Sequence, residues 1–283
     1  MGKAVLGIDV GGSATKIVGF RETEQGRVLI APQLVQANDP LTSIYGAFGK
    51  FTMENGLSME DISCVMMTGV GSTFAEKPLY AGLDCRVVPE FESVGRGGLY
   101  LSGLDEAIVV SMGTGTALIH AKKNAAGEVQ VAHLGGTGVG GGTLLGLSRL
   151  MLSVETVEHI EALAKKGDLS KIDLRIGDIS KKSLHPGMNA ELTAANFGKL
   201  SDLATKNDIA LGIANMVSET IGMLAVFAAR SHSVSQVVLT GNLTSLASVR
   251  RVFEILERTF GIQFIIPENA QYGTVIGAAL GAE

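Results

Sequence analysis

The stretch VLGIDVGGSATK, residues 5–16, decides the fold of this chain. The apolar residues 4–8 predict a buried strand that ends at Asp9, and residues 15–20 predict a second strand that includes Lys16. Three residues with small side chains form the turn between the strands: Gly11, Gly12 and Ser13. Glycine N–H groups approach an anion closely, a lysine adds a cation, and a strand-end carboxylate suits Mg²⁺. The stretch therefore predicts a site for a metal-bound nucleotide phosphate, with an ordinary glycine hairpin capped by Asp9 as the alternative.

Length and composition narrow the class of protein. The chain has 283 residues, 46% of them hydrophobic, which is enough for one large or two modest domains. The net charge of −5 and the lack of a dense Lys/Arg tract argue against nucleic-acid binding, which needs a basic face. Cys64 and Cys85 are too few for a disulfide framework or a zinc site, so we expect a cytoplasmic protein. The longest apolar patch, near residues 221–229, falls short of a membrane span and predicts no membrane association.

A second copy of the opening pattern lies further along the chain. Residues 107–112 predict a buried strand and residues 117–122 predict its return. The turn between them consists of small residues: Gly113, Thr114, Gly115 and Thr116. Two halves that each begin with strand, glycine turn and strand indicate a duplicated architecture whose turns face each other across a cleft. We place the boundary near Gly103, which gives an N-terminal unit of residues 1–103 and a C-terminal unit of residues 104–283.

A glycine-dense run, residues 135–142, leads straight into a predicted helix over residues 143–152. Because the N–H groups at a helix N-terminus bind anions, the run predicts contacts with a phosphate or nucleotide, and a flexible loop is the alternative. Four of its glycines are the candidate contacts: Gly138, Gly140, Gly141 and Gly142. The chain has no P-loop motif, and the run misses the spacing of a dinucleotide fingerprint. Nucleotide binding must therefore use another kind of site.

The remaining elements follow from the same periodicities. Residues 208–230 predict a long helix, capped by Asn207 or Asp208, that is too apolar on all sides for a surface helix. We expect it at the centre of the protein or at a subunit interface. Residues 167–205 are the least regular part and could form a substrate-side excursion. Other strands are expected over 27–35, 62–68, 85–88, 129–133, 237–240 and 264–266, and other helices over 41–55, 73–80, 155–166, 248–260 and 273–280.

Three motifs together resemble the nucleotide signatures of the actin, hexokinase and Hsp70 ATPase superfamily: DVGGSATK (9–16), SMGTGT (111–116) and LTGN (239–242). Within it the chain resembles type II pantothenate kinases nearly end to end. Four further motifs carry this resemblance: PEFE (89–92), GGTGVGGGTLLGL (135–147), LTAANFG (192–198) and PEN (267–269).

The resemblance implies an α/β, two-lobed actin-like ATPase fold. Its ribonuclease-H-like domains are duplicated, with mixed sheets and a nucleotide cleft between them. Residues 1–103 would carry the first phosphate turn and the catalytic glutamate. Residues 104–283 would carry the second phosphate turn, the adenosine motif and a dimer helix.

The resemblance also implies catalytic roles. Glu90 would be the general base that activates the primary hydroxyl of pantothenate, and a simple helix-start carboxylate is the alternative. Asp9 would hold Mg²⁺ through water, while Lys16 would neutralise and orient phosphates for in-line transfer. The nucleotide-binding residues would be Gly11, Gly12, Ser13, Gly113, Thr114, Gly115, Thr116 and, beside the adenosine, Gly241 and Asn242.

Five further residues are candidates for the acceptor site, together with Glu90: His133, Gly135, Thr193, Asn196 and Tyr272. His133 stands where family members commonly carry an arginine, and a strand residue bonded to a carbonyl is the alternative. Thr193 and Asn196 match a stretch that lines the pantothenate pocket. Tyr272 stands where an aromatic of the neighbouring subunit approaches that pocket, and ordinary packing is the alternative.

The residues themselves predict phosphoryl transfer from a nucleotide, and the resemblance implies a Mg²⁺-requiring, ATP-dependent pantothenate kinase that makes 4′-phosphopantothenate in coenzyme A biosynthesis. We expect a homodimer packed partly through the helix over residues 208–230, with coenzyme A or an acyl-CoA as a candidate feedback ligand. One alternative keeps the fold and phosphorylates a sugar or another small hydroxyl acceptor. Another is a non-catalytic ATP-binding regulator or an activase-type ATPase.

Overall fold

Two mixed five-stranded sheets organise the part of the chain that the computed structural model describes, namely residues 2–12, 14–24, 26–36, 39–74, 82–180 and 189–282. The first half contains, in chain order, β1 (Ala4–Val10), β2 (Thr15–Thr23), β3 (Gly26–Val35), α1 (Pro40–Glu54), β4 (Ile62–Thr68), β5 (Cys85–Val87) and α2 (Glu90–Ser102). The strand order is β3-β2-β1-β4-β5. The pairs β3/β2 and β2/β1 are antiparallel, and the pairs β1/β4 and β4/β5 are parallel.

The second half repeats this topology. Its elements are β6 (Glu106–Met112), β7 (Thr116–Lys123), β8 (Val129–Thr137), α3 (Gly141–Leu152), α4 (Val157–Ala164), β9 (Leu174–Arg175), α5 (Ile176–Ile179), β10 (Thr193–Ala195), α6 (Lys206–Ser231), β11 (Gln236–Thr240), α7 (Ala247–Phe260), β12 (Gln263–Ile265) and α8 (Gly273–Leu280). Its sheet has the order β8-β7-β6-β11-β12, with two antiparallel pairs followed by two parallel pairs. The two sheets therefore match strand for strand, as the repeated sequence pattern indicates.

Two crossing helices lie between the sheets. An ideal Cβ on Gly97 of α2 would lie 1.8 Å from the carbonyl oxygen of Gly273, and one on Gly277 of α8 would lie 1.8 Å from that of Ser93. Because only glycine permits such an approach, the backbones of α2 and α8 are in direct contact.

Each crossing helix packs on the sheet of the other half. Gly98 of α2 lies against Val109 of β6, and Gly7 of β1 lies against the backbone of Val275 in α8. The boundary at Gly103 stays a prediction. Across it, α2 of the first half packs on the second sheet, and α8 of the second half packs on the first sheet.

The long helix α6 is a core element. It packs with α3, α4 and α7 beneath the second sheet, and residues such as Ile213, Val217 and Ile221 are fully or almost fully buried. By length and composition alone, α6 could cross a membrane. The shorter apolar patch near residues 221–229, on which the sequence prediction rested, did not indicate this. However, 61% of its most apolar window is buried inside the protein, as expected of a core helix.

The N-terminus of α6 corrects the predicted cap. Thr205 is the capping residue, and Asp208, three positions later, accepts hydrogen bonds from the Thr205 N–H and hydroxyl, both at 2.8 Å. This reciprocal capping box satisfies two N–H groups that the helix leaves open, so Asn207 and Asp208 are helical residues.

The glycine-dense run also begins differently from the prediction. The strand expected to end at His133 continues to Thr137 as β8, with Gly135 at a φ of 130°. A Cβ on Gly136 would lie 2.3 Å from the carbonyl oxygen of Thr116 in the neighbouring strand. Gly135 and Gly136 are therefore strand residues. The close pairing with β7 excludes a side chain at Gly136, and the positive φ of Gly135 favours glycine there.

Two other predictions fall partly outside the described residues. Most of the helix expected over residues 73–80 lies outside the described residues, because the structure does not describe residues 75–81. The irregular segment 167–205 contains the short elements β9, α5 and β10, and its residues 181–188 are likewise outside the description.

Candidate active site

A cavity of about 450 Å³ opens between the two sheets, where the glycine turns of both halves meet. Most of the predicted catalytic and nucleotide-binding residues line it: Asp9, Gly11, Gly12, Lys16, Glu90, Gly113, Thr114, Gly115, Thr116, Gly241 and Asn242. Ser13 lies outside the described residues. A larger cavity of about 830 Å³ lies beside Arg21, Glu22 and Val28 at the hairpin of β2 and β3, and its lining includes none of the predicted site residues. The chemistry therefore points to the smaller cavity.

The first turn brings a carboxylate and an ammonium group together. Asp9 and Lys16 are direct partners in the antiparallel pair of β1 and β2, and the Lys16 Nζ donates to the carbonyl oxygen of Gln271 at 2.6 Å. Burial raises the pKa of Asp9, and the charge of Lys16 opposes this shift. Burial lowers the pKa of Lys16, and the charge of Asp9 opposes that shift. Both side chains thus occupy a poorly hydrated site where a charged ligand interacts strongly with them.

The second turn is supported from behind by the glycine-dense run. The N–H groups of Gly141 and Gly142 donate to the carbonyl oxygens of Gly113 and Thr114, each at 2.8 Å. A Cβ on Gly140 would lie 2.6 Å from the Thr114 oxygen, so a side chain there would displace the turn. The N–H groups of Gly141 and Gly142 are therefore engaged within the protein and hold the second glycine turn in place. Contact of these glycines with a nucleotide stays a prediction.

The third turn reaches the same cavity from β11. Gly241 has a φ of 93°, and a Cβ on it would lie 2.5 Å from the carbonyl oxygen of Met112, at the end of β6. The next residue, Asn242, has a buried Oδ1 atom with no hydrogen-bond partner among the described residues. Buried acceptors are normally satisfied, so this atom is suited to a donor on a bound ligand.

Glu90 is the first residue of α2 and lines the same cavity. Its side chain remains accessible to solvent, while the walls of the cleft remove part of its hydration. This loss of hydration raises the pKa of Glu90, and the negative charge of Asp9 raises it further. A carboxylate with a raised pKa is a better proton acceptor than an ordinary surface glutamate.

The structure adds four cavity residues from outside the quoted motifs: Gly69, Val70, Ala117 and Thr274. Gly69 has a φ of 85°, and a Cβ on it would lie 2.6 Å from Oδ1 of Asp9. It follows β4 directly, and Asp9 is the residue before the last of the neighbouring strand β1. A glycine after a buried parallel strand was the available signal, but only the strand pairing places it against the carboxylate.

Several predicted binding residues do not line this cavity: Gly135, Gly138, Gly140, Gly141, Gly142, His133, Thr193, Asn196 and Tyr272. Tyr272 packs with α8 against the first sheet, near Val18 and Phe20, which agrees with the packing alternative. His133 is exposed on β8, and its ring stacks on that of Phe91 with centroids 3.9 Å apart and planes within 9°.

Thr193 and Asn196 belong to a polar network on α6. Glu219 accepts hydrogen bonds from the Thr193 N–H and the Asn196 side-chain amide, both at 3.2 Å. Asn215 donates to the buried Asp173 at 2.8 Å and to the Thr193 hydroxyl at 3.3 Å. The network ties the irregular segment to α6, and its members remain candidates for the acceptor site.

The donor set of the cavity suits a metal ion that arrives with a ligand. Among the described residues, no group of three or more His, Cys, Asp and Glu side chains could hold a metal by itself. Mg²⁺ usually keeps several waters and takes one or two carboxylates together with substrate phosphates. The buried carboxylate of Asp9, beside the two glycine turns, fits this kind of coordination.

Comparison with solved structures identifies the fold. The activator of the 2-hydroxyisocaproyl-CoA dehydratase from Clostridium difficile, with bound ADPNP, superposes with a TM-score of 0.66 at 20% identity, covering 99% of this chain and 94% of that one. A ROK family glucokinase from Streptomyces griseus, in complex with glucose and AMPPNP, gives a TM-score of 0.60 at 16% identity, covering 99% of both chains. These similarities confirm the predicted α/β, actin-like ATPase fold.

Comparison of sequences identifies the family. The sequence model of the Fumble family matches residues 106–256, more than half of the chain. The type II pantothenate kinase of Oceanobacillus iheyensis is 32% identical over 210 residues, covering 71% of this chain and 76% of the relative. That of Staphylococcus haemolyticus is 29% identical over 284 residues, covering 96% and 98%. On this evidence the chain belongs to the Fumble family, that of the type II pantothenate kinases.

Proposed function

We propose that the protein phosphorylates pantothenate with ATP to give 4′-phosphopantothenate, the first step of coenzyme A biosynthesis. The observation that carries this proposal is the position of Glu90 in one cavity with both phosphate turns and the Asp9–Lys16 pair. Membership of the type II pantothenate kinase family supports the choice of acceptor. The cavity alone supports phosphoryl transfer from a nucleotide to a hydroxyl group.

In this proposal Glu90 is the general base. The acceptor hydroxyl attacks the γ-phosphorus of ATP, its proton passes to the Glu90 carboxylate, and the bond to the β,γ-bridging oxygen breaks so that ADP leaves. The raised pKa of Glu90 supports this role, because a base works best when its pKa lies near the pH of the reaction. General-base catalysis of this kind contributes about 10²- to 10⁴-fold in rate.

The other cavity residues hold the phosphates. Lys16 supplies a positive charge, and the second turn, Gly113 to Thr116, is placed to offer backbone N–H groups across the cleft. Asp9 would hold Mg²⁺ through water, and the metal ion would neutralise charge that develops on the phosphate oxygens. Gly241 and Asn242 would lie beside the adenosine.

Further parts of the proposal concern the acceptor site and the assembly. His133, Gly135, Thr193, Asn196 and Tyr272 stay candidates for the acceptor site. A homodimer packed partly through α6 is supported by Phe227 on that helix, whose side chain is 56% exposed. The proposal also places the protein in the cytoplasm and takes coenzyme A or an acyl-CoA as its feedback ligand.

The test is ADP release with MgATP, measured with and without pantothenate, for the wild-type protein and for Glu90→Gln. This substitution keeps the size of the side chain and removes its ability to accept a proton. We expect release only with pantothenate, lowered about 10²-fold or more in the variant. Release that ignores pantothenate would contradict the proposed acceptor, and a panel of sugars and polyols would then separate another kinase from an ATP-driven regulator. Full activity in Glu90→Gln would contradict the proposed base.

A further inference from the structure

The first turn of α2, which carries Glu90, contacts both sheets. On one side the Ser93 hydroxyl lies 3.5 Å from that of Thr68, the residue of β4 paired with Asp9. On the other side the Phe91 ring stacks on the His133 imidazole of β8. Pro89, which precedes the helix, makes no side-chain capping bond. Side-chain contacts with both flanking strands, together with the backbone contact between Ser93 and Gly277 of α8, therefore hold this turn in place.

The stack belongs to a longer register between α2 and β8. Four residues after Phe91, an ideal Cβ on Gly95 would lie 2.6 Å from a methyl carbon of Val131, two residues before His133. Four helical residues advance about 6 Å and two strand residues about 6.6 Å, so the helix follows the strand with matching steps. The Phe91–His133 contact is the last of this series before the cavity.

The strand side of the stack leads directly to the second phosphate turn. Thr137, four residues beyond His133 in β8, lines the cavity and is paired with Thr116 of that turn. Glu90, one residue before Phe91, lines the same cavity. The stacked rings are thus a side-chain contact between the strand that supports the second turn and the helix turn that presents the carboxylate.

We propose that Phe91 and His133 form a positioning pair that holds the Glu90 carboxylate at its working distance from the second phosphate turn. The inference rests on the proposed role of Glu90 as the base. What the pair requires is two flat rings in contact, and it does not require the basicity of the imidazole. One face of the His133 ring is covered by Phe91, so the ring acts through packing.

The expected effect lies in turnover. A displacement of a catalytic group by about 1 Å costs on the order of 10²-fold in rate, because the reacting atoms leave their attack geometry. Phe91→Ala and His133→Ala remove one ring each, and we expect kcat to fall about 10- to 100-fold with little change in KM for ATP or pantothenate. Phe91→Tyr keeps two flat rings and should retain most of the activity. His133→Phe also keeps two flat rings, and its kcat should recover relative to His133→Ala if ring contact is what the pair supplies. The Ala/Ala double variant should be no slower than either single variant, because both remove one contact.

The experiment is steady-state kinetics with pantothenate and MgATP varied in turn, for the wild type and these five variants, with circular dichroism to check folding. Both rings are partly exposed, and the two ring-preserving variants test the pair even where an alanine variant folds poorly. If His133→Phe raises KM for pantothenate as strongly as His133→Ala, His133 binds the acceptor and the positioning role is overturned. An unchanged kcat in Phe91→Ala also overturns it. A wild type without pantothenate-dependent ADP release overturns the proposed function and, with it, the pair.

Discussion

Gly277→Ala adds one methyl group at the contact between α8 and α2, and the structure predicts a large effect. The new Cβ would lie 1.8 Å from the carbonyl oxygen of Ser93, whereas real Cβ contacts shorter than 3.0 Å are essentially never seen. The two backbones must therefore move apart by about 1 Å, since neither atom belongs to a flexible side chain. Overpacking of this kind costs about 1–3 kcal/mol of folding free energy, and we expect the upper end.

Activity should fall as well, because α2 carries Glu90 at its first residue. A shift of about 1 Å at the catalytic group costs on the order of 10²-fold in kcat/KM. Urea unfolding followed by circular dichroism and the ADP-release assay with pantothenate measure the two effects on the same preparation.

Gly46→Ala is the matched control. Gly46 lies within α1, is exposed, and has no heavy atom within 4 Å of an added Cβ. Alanine is the better helix former, so this variant should gain about 0.5–1 kcal/mol in unfolding free energy and keep its activity. The same added methyl group should thus lower the unfolding free energy at Gly277 and raise it at Gly46. If Gly277→Ala unfolds and turns over like Gly46→Ala, the close crossing of α2 and α8 is not a constraint on the protein.

Three further predictions concern the cavity and its supports. As pH rises, kcat/KM should increase through a Glu90 pKa above the ordinary carboxyl value, because the base must be deprotonated. At higher pH, kcat/KM should fall as the pH passes the lowered pKa of Lys16, because the ammonium group must be protonated. An acid limb at the ordinary glutamate value would contradict this prediction. Gly69→Ala should abolish most activity in the ADP-release assay by pushing the Asp9 carboxylate aside, and wild-type kinetics at all Mg²⁺ concentrations would refute it. Glu161→Ala should lower the urea-unfolding free energy by about 2–3 kcal/mol with kcat retained, because this buried carboxylate accepts the first N–H groups of α7, and a stability equal to wild type would rule that out.

Much of the site follows from local sequence patterns. A strand, a short glycine turn and a returning strand place Asp9 opposite Lys16, because an antiparallel hairpin pairs residues equidistant from its turn. The same reasoning applies to the turn after β6. Glu90 follows a short strand and opens a helix, so its position at the cleft could also be expected.

Other features depend on contacts between distant residues and leave no local signal. The amides of Gly141 and Gly142 look free in the sequence, and they are taken by carbonyl groups nearly thirty residues earlier in the chain, at Gly113 and Thr114. Similarly, α7 has no capping side chain of its own and uses Glu161 from α4. A motif can show that a glycine is needed, but only the packing shows which neighbour requires it.

The packing of α8 on the first sheet has a consequence for folding of the chain during its synthesis. Val275, Ile276 and Ala279 of α8 form one buried cluster with Val18 and Phe20 of β2. At a ribosome, about 200 residues are added between the end of β4 and the start of α8, which takes roughly 10–40 s at usual elongation rates.

Throughout that interval the face of the first sheet on which α8 packs lacks that helix. The strands of the first sheet are synthesised early, whereas α8, which packs on that sheet, is one of the last segments to be made. A nascent chain halted before α8 should therefore expose this surface, bind chaperones and resist proteolysis less than the finished protein.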